Sequence, residues 1–68
     1  MHGHDAAFIV ELARRVFRGS TQAEQWLKRP NVQLGGRAPR DMLGTADGRR
    51  RVEELLAQVD DDDRLGID

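Results

Sequence analysis

Helix-making and helix-breaking residues alternate in a fixed order between Ala23 and Leu56, and that punctuation limits the chain to a few short helices joined by tight turns. Ala23, Trp26 and Leu27 sit at helical spacing and are halted by Pro30 and Asn31. Leu34, Gly35 and Gly36 follow, then Pro39, Met42 and Leu43 before Gly44. Thr45, Asp47 and Gly48 lead into Val52, Leu55, Leu56 and Val59, which recur at i, i+3, i+4 and i+7, the period of one helix face. No segment alternates with the two-residue period of a strand. The expected fold class is all-α, a compact bundle of about four short helices.

The first helix is expected from about Asp5 to Arg18. Asp5 is placed to cap its first turn, and Phe8, Ile9, Leu12, Ala13, Val16 and Phe17 form a broad apolar face. Gly19 supplies a left-handed stop. Thr21 and Glu24 read as a capping box for a second helix that runs to about Lys28, since Pro30 disfavours helical geometry at Arg29. The segment Asn31 to Gly36 is expected to be a loop with Val32 and Leu34 anchored in the core. Pro39 opens a short third helix, where its missing amide costs nothing, and Gly44 ends it. The fourth helix starts at Thr45 or Asp47 and ends near Val59. Beyond it, Asp60 to Asp63 place four like charges where the helix dipole disfavours them, so residues 60–68 read as a flexible acidic tail beside a helical domain over residues 1–59. The expected core gathers Phe8, Leu12, Val16, Trp26, Leu27, Leu55 and Leu56.

Composition narrows the function classes. Sixty-eight residues make one domain near the lower size limit for unaided folding. Chains this small recover stability through disulfides, metals or association. Cysteine is absent, which removes disulfides and thiolate metal sites and leaves association with a partner or a second copy. The longest apolar run, Ala6 to Val10, is too short for a membrane span or a signal-peptide core, so the expected compartment is the cytoplasm. The net charge is -1 but unevenly spread. Arg37, Arg40, Arg49, Arg50 and Arg51 crowd the middle, whereas Glu53, Glu54, Asp60 to Asp63 and Asp68 load the end. Such asymmetry suits an interaction module.

Catalytic chemistry has little to stand on. His2 and His4 lie at a terminus without a fixed third ligand, so no metal site is expected. Glu53 and Glu54 are sequence neighbours and do not share a helix face, so they make no carboxylate dyad. Ser20 has no plausible base. Gly35 and Gly36, with no strand before them and no Lys-Ser/Thr after, read as a turn rather than a phosphate cradle. Trp26 reads as the core centrepiece of a tiny domain. No catalytic residue, cofactor or metal is assigned.

The ordered residues Ala23, Trp26, Leu27, Pro30, Asn31, Leu34, Gly36, Pro39, Leu43, Thr45, Gly48, Val52, Leu55 and Leu56 resemble the toxin-binding domain of bacterial antitoxins of the Xre, MbcA and ParS type. The likeness extends over roughly residues 8–59 and includes Val16 and Phe17 before Gly19. The resemblance implies a type II toxin–antitoxin partner, commonly a RES-domain toxin that consumes NAD, whose active-site cleft the antitoxin obstructs. It also implies a non-enzymatic inhibitor. Two departures stand out. There is no room before the first helix for a helix-turn-helix domain, so direct DNA binding is not expected. The run from Val59 to Gly66 also replaces the family's usual acidic-then-glycine ending.

The expected toxin-binding surface is the fourth helix and its tail: Arg49, Arg50, Glu53, Glu54, Gln58, Asp61, Arg64, Leu65, Ile67 and Asp68. Two other readings remain open at this level. One is a small nucleic-acid-binding regulator that uses an edge formed by Arg49, Arg50 and Arg51; the other is a homo-oligomer of self-associating helical modules.

Overall fold

A computed structural model describes the backbone over residues 5–65 and the side chains over residues 5–61. Three α-helices, α1 (Ala6–Phe17), α2 (Ser20–Lys28) and α3 (Ala46–Leu65), carry the fold. Two 3-10 turns, Val32–Leu34 and Pro39–Met42, join α2 to α3. Three helices thus stand where about four were expected. The segment opened by Pro39 is a single 3-10 turn, because only four residues separate Pro39 from Gly44, too few for a settled α-helix. Among the described residues there is no strand; one isolated antiparallel bridge joins Asn31 to Arg37.

Local chemistry sets the helix ends. The Asp5 carboxylate accepts a hydrogen bond from the Phe8 amide at 2.9 Å and so caps α1. At the other end Arg18, not Gly19, takes the left-handed conformation, with φ 57°. Its amide donates to the Arg14 carbonyl, and Gly19 is extended. The expected Thr21 capping box is absent: α2 begins two residues earlier than that box implies, at Ser20, with Gly19 as its cap and no side-chain cap bond. The two-residue link from α1 leaves no slack for Thr21 to sit outside the helix.

The turn after α2 is organised by Asn31. Its side chain accepts from the Gln33 amide at 2.9 Å. Its carbonyl accepts from the amides of Leu34 and Gly36, both at 2.9 Å. Its own amide donates to the Arg37 carbonyl at 3.0 Å. Gly35 and Gly36 follow with φ of 71° and 87°, a region that side-chain-bearing residues rarely occupy. This geometry buries Leu34 and leaves Val32 91% exposed. Val32 is therefore not the core anchor that its apolarity suggested.

The junction before α3 is tighter. Thr45 Oγ1 accepts from the Gly48 amide at 3.0 Å and caps the helix. A Cβ on Gly48 would lie 1.8 Å from the Met42 carbonyl oxygen, so only glycine fits there. Arg49 Nη1 donates to the Leu43 carbonyl at 3.0 Å. From this clasp α3 continues for 20 residues to Leu65, past the end expected near Val59. The aspartates weaken a helix end through the dipole but do not break it.

The core is one cluster: Ile9 and Ala13 from α1, Ala23 and Leu27 from α2, Leu34 and Leu43 from the connection, Val52 and Leu56 from α3. Of the expected core, Leu27 and Leu56 are central. Leu12, Val16, Trp26 and Leu55 pack around the margin. Phe8 is 39% exposed and lies outside it. The α1 apolar stripe is wider than its contact with α2 and α3, so the row Ile9–Ala13 faces inward and Phe8 falls off the edge. Trp26 is a flank rather than a centrepiece, its ring 5.5 Å from that of Phe17. The alanines matter, since small side chains let neighbouring helices approach closely.

Two stability predictions follow from these contacts. Replacing glycine by alanine inside a helix normally stabilises it, by roughly 0.8–1.0 kcal/mol. Gly48→Ala is expected to do the reverse and destabilise the fold by about 1–3 kcal/mol, the usual penalty of overpacking. Gly44→Ala, where an added Cβ meets nothing within 4 Å, serves as the neutral control. Urea unfolding followed by circular dichroism reads both. Asn31→Ala, which removes the cap on Gln33, is expected to lower stability by about 1 kcal/mol in the same assay.

Candidate functional site

Among the described residues no polar or charged side chain is buried, and no group of His, Cys, Asp or Glu is arranged to hold a metal ion. No described helix is long and apolar enough to cross a membrane. Most of the residues expected to make contacts lie on α3.

Helix geometry divides α3 cleanly. Gly48, Val52 and Leu56 recur every four residues and form the buried row. Arg50, Glu54, Ala57, Gln58 and Asp61 lie on the opposite side, all exposed. Arg49 and Glu53 each precede a core residue by three positions, which rotates them back toward the protein, and both are half-buried. Arg49 spends its guanidinium on the Leu43 carbonyl.

The contact residues named from sequence thus separate into three groups. Arg50, Glu54, Gln58 and Asp61 share one exposed face. Arg49 and Glu53 flank the core, and Arg49 helps hold the junction. Arg64 and Leu65 lie on the helical backbone with side chains outside the described residues, and Ile67 and Asp68 lie wholly outside them. The arginines of the expected basic edge, Arg49, Arg50 and Arg51, are spread around the helix. Consecutive helical residues are about 100° apart, so the three fan out: toward the junction, to solvent, and toward the Asn31 turn.

Among the described residues, shallow depressions mark the surface, three of which are lined in part by residues of α3. The first, about 510 Å³, lies between the α1–α2 turn and Val59, with Val16 and Phe17 among its walls. The second, about 210 Å³, sits at the start of α3, where Arg37 and Arg51 face Asp41 and Asp47. In the third, about 310 Å³, Gln33 and Leu34 of the Asn31 turn meet Arg51, Glu54, Leu55 and Gln58 of α3. This third groove joins the turn to the exposed helix face. Sequence reasoning missed the participation of Gln33, and it placed Arg51 only in the basic edge. The spacing of Arg51, Glu54 and Gln58 (i, i+3, i+7) would have put those three on one face, but nothing in sequence brings Gln33 to them.

Comparison with known proteins agrees with this architecture. Residues 12–61 match the family described as the antitoxin Xre/MbcA/ParS C-terminal toxin-binding domain. A curated relative, "Antitoxin Xre" of Pseudomonas putida, is 37% identical over 54 residues, which cover 79% of this chain and 34% of that protein. The chain spans about a third of the length of the relative it matches. No solved structure matches it. The Asn31 turn, the Thr45 cap, the Gly48 close approach and the Val52–Leu56 row all lie inside the matched span, and by that match the chain belongs to the Xre/MbcA/ParS family of C-terminal toxin-binding domains.

Proposed function

We propose that this chain is a toxin-neutralising module that binds a cognate toxin through the exposed face of α3 and restricts access to the toxin's active site. The observation that carries the reading is membership of a toxin-binding family over residues 12–61. The structural support is a 20-residue helix whose exposed face carries Arg50, Glu54 and Asp61. Arg50 and Glu54 set the orientation of the complex. Gln58 and Asp61 extend the contact toward the helix end. Such groups steer encounter and fix register, and truncating one that is desolvated in a complex costs about 2–5 kcal/mol of affinity.

The resemblance to antitoxins of RES-domain toxins points to a toxin that uses NAD. NAD carries a pyrophosphate, so a cleft that holds it is expected to be basic. The acidic segment from Asp60 onward, delivered on the end of α3, is suited to occupy such a cleft in place of an anionic substrate. The module itself performs no chemistry in this mechanism; it contributes shape and charge.

The test uses the toxin-sized protein encoded by the adjacent reading frame. With NAD consumption as readout, the intact chain is expected to inhibit stoichiometrically. Deleting residues 60–68 is expected to retain the helical spectrum and cooperative melt, since the innermost α3 residues are Val52 and Leu56. The same deletion is expected to weaken inhibition at least tenfold, about 1.4 kcal/mol. Equal inhibition by the shortened chain would exclude the cleft-filling role, and failure of the intact chain to bind its neighbour would exclude the function. A paired charge reversal, Arg50→Glu with Glu54→Arg, is expected to weaken binding with the melt unchanged.

A further inference from the structure

We infer that the Asn31 turn is a second contact element for the same toxin, with Val32 as an apolar plug that seats in an acidic part of the toxin surface; the inference rests on the toxin-binding reading above. A lone exposed aliphatic residue is ordinary on a protein surface, so the argument lies in how this one is held and what surrounds it.

Val32 is 91% exposed, yet the turn that carries it is held from within. Asn31 bonds the amides of Gln33, Leu34 and Gly36, and its own amide reaches the Arg37 carbonyl. Leu34 pins the turn to the core from the inner side. Val32 is therefore presented outward by a fixed backbone rather than released by a loose one. A preorganised tip loses little conformational freedom on binding, which leaves more of its contact energy as affinity. Gly35 and Gly36 serve this presentation, since their left-handed geometry returns the chain beneath the tip.

The surroundings specify the partner. Exposed Arg29 precedes the turn by two residues, exposed Arg37 closes it, and exposed Arg51 stands across the groove from Gln33. A partner surface that complements these cations carries acidic groups around an apolar depression. The groove of about 310 Å³ runs from the turn to Glu54 and Gln58, so the turn is continuous with the face proposed to hold the toxin. A protein partner is favoured over nucleic acid because an aliphatic tip gains from an apolar pocket, and the phosphate backbone offers none.

Val32→Asp separates this inference from the reading beneath it. The residue makes no core contribution, so the thermal midpoint of the variant is expected to match that of the parent. Affinity for the adjacent-frame toxin, measured by titration calorimetry, is expected to fall tenfold or more, with Val32→Ala intermediate. Arg37→Glu combined with Arg51→Glu is expected to slow association, and the salt dependence of the association rate should shrink. Unchanged affinity of Val32→Asp would overturn the inference while leaving the toxin-binding function in place. Absence of toxin binding by the parent chain would remove both. Tight binding of the parent chain to a 20-base-pair DNA duplex, lost in Val32→Asp, would reassign the surface to nucleic acid and overturn the inference.

Discussion

The close approach of Gly48 to the Met42 carbonyl is the contact on which the arrangement of this molecule depends. No side chain fits between them. The Thr45 hydroxyl accepts from the same Gly48 amide, and the Arg49 guanidinium donates to the Leu43 carbonyl one residue further along. Together these contacts fix the direction in which α3 leaves the Pro39–Met42 turn and its rotation about its own axis. With that rotation set, Val52 and Leu56 enter the cluster of Ile9, Ala13 and Ala23. The same rotation sends Arg50, Glu54 and Asp61 outward. The buried row and the exposed face of α3 are consequences of one junction.

A chain this small has few interior residues to spend, and it meets that limit by keeping polar groups local. No described polar side chain is buried, and none of the buried side-chain nitrogen or oxygen atoms lacks a partner. Caps come from residues beside the groups they satisfy: Asp5 for Phe8, Asn31 for Gln33, Thr45 for Gly48. Each such bond closes a short loop and so carries little entropic penalty. Long-range contact is left to the apolar cluster, where Ala13 and Ala23 let helices approach at small volume.

Features that depend on one local contact were legible in the sequence. Asp5 as a cap, the end of α2 at Lys28, Pro39 at the head of its turn and Thr45 before α3 all follow from residue chemistry within four positions. Features that depend on neighbours in space were not. The apolar stripe of α1 does not say which of Phe8 and Ile9 meets the other helices, because both belong to it. Val32 and Leu34 are equally apolar, and only the 3-10 geometry imposed by Asn31 sends one in and the other out. Gly19 was the obvious left-handed residue, yet the short link to α2 placed that conformation at Arg18. The same boundary divides the site. Periodicity locates Arg50, Glu54, Gln58 and Asp61 on one face, whereas the capture of Arg49 by a backbone carbonyl six residues away leaves no trace in sequence.

Most of the charges at the ends of α3 run against its own dipole, with Asp47 in the first turn and Arg64 in the last as the exceptions. Arginines 49, 50 and 51 occupy the first turns, near the positive pole, and the aspartates from 60 to 63 occupy the last, near the negative one. Each misplaced surface charge costs an isolated helix roughly 0.3–1 kcal/mol. Helix stability alone would favour the reverse arrangement. The junction at Gly48 and the Val52–Leu56 row hold the helix in spite of this. A partner that brings acidic groups to the arginine end and basic groups to the aspartate end relieves both mismatches, and a partner docked in the opposite direction worsens both. On the proposed function, the polarity of α3 favours one orientation of the complex, with the acidic end rather than the arginine end against a basic cleft.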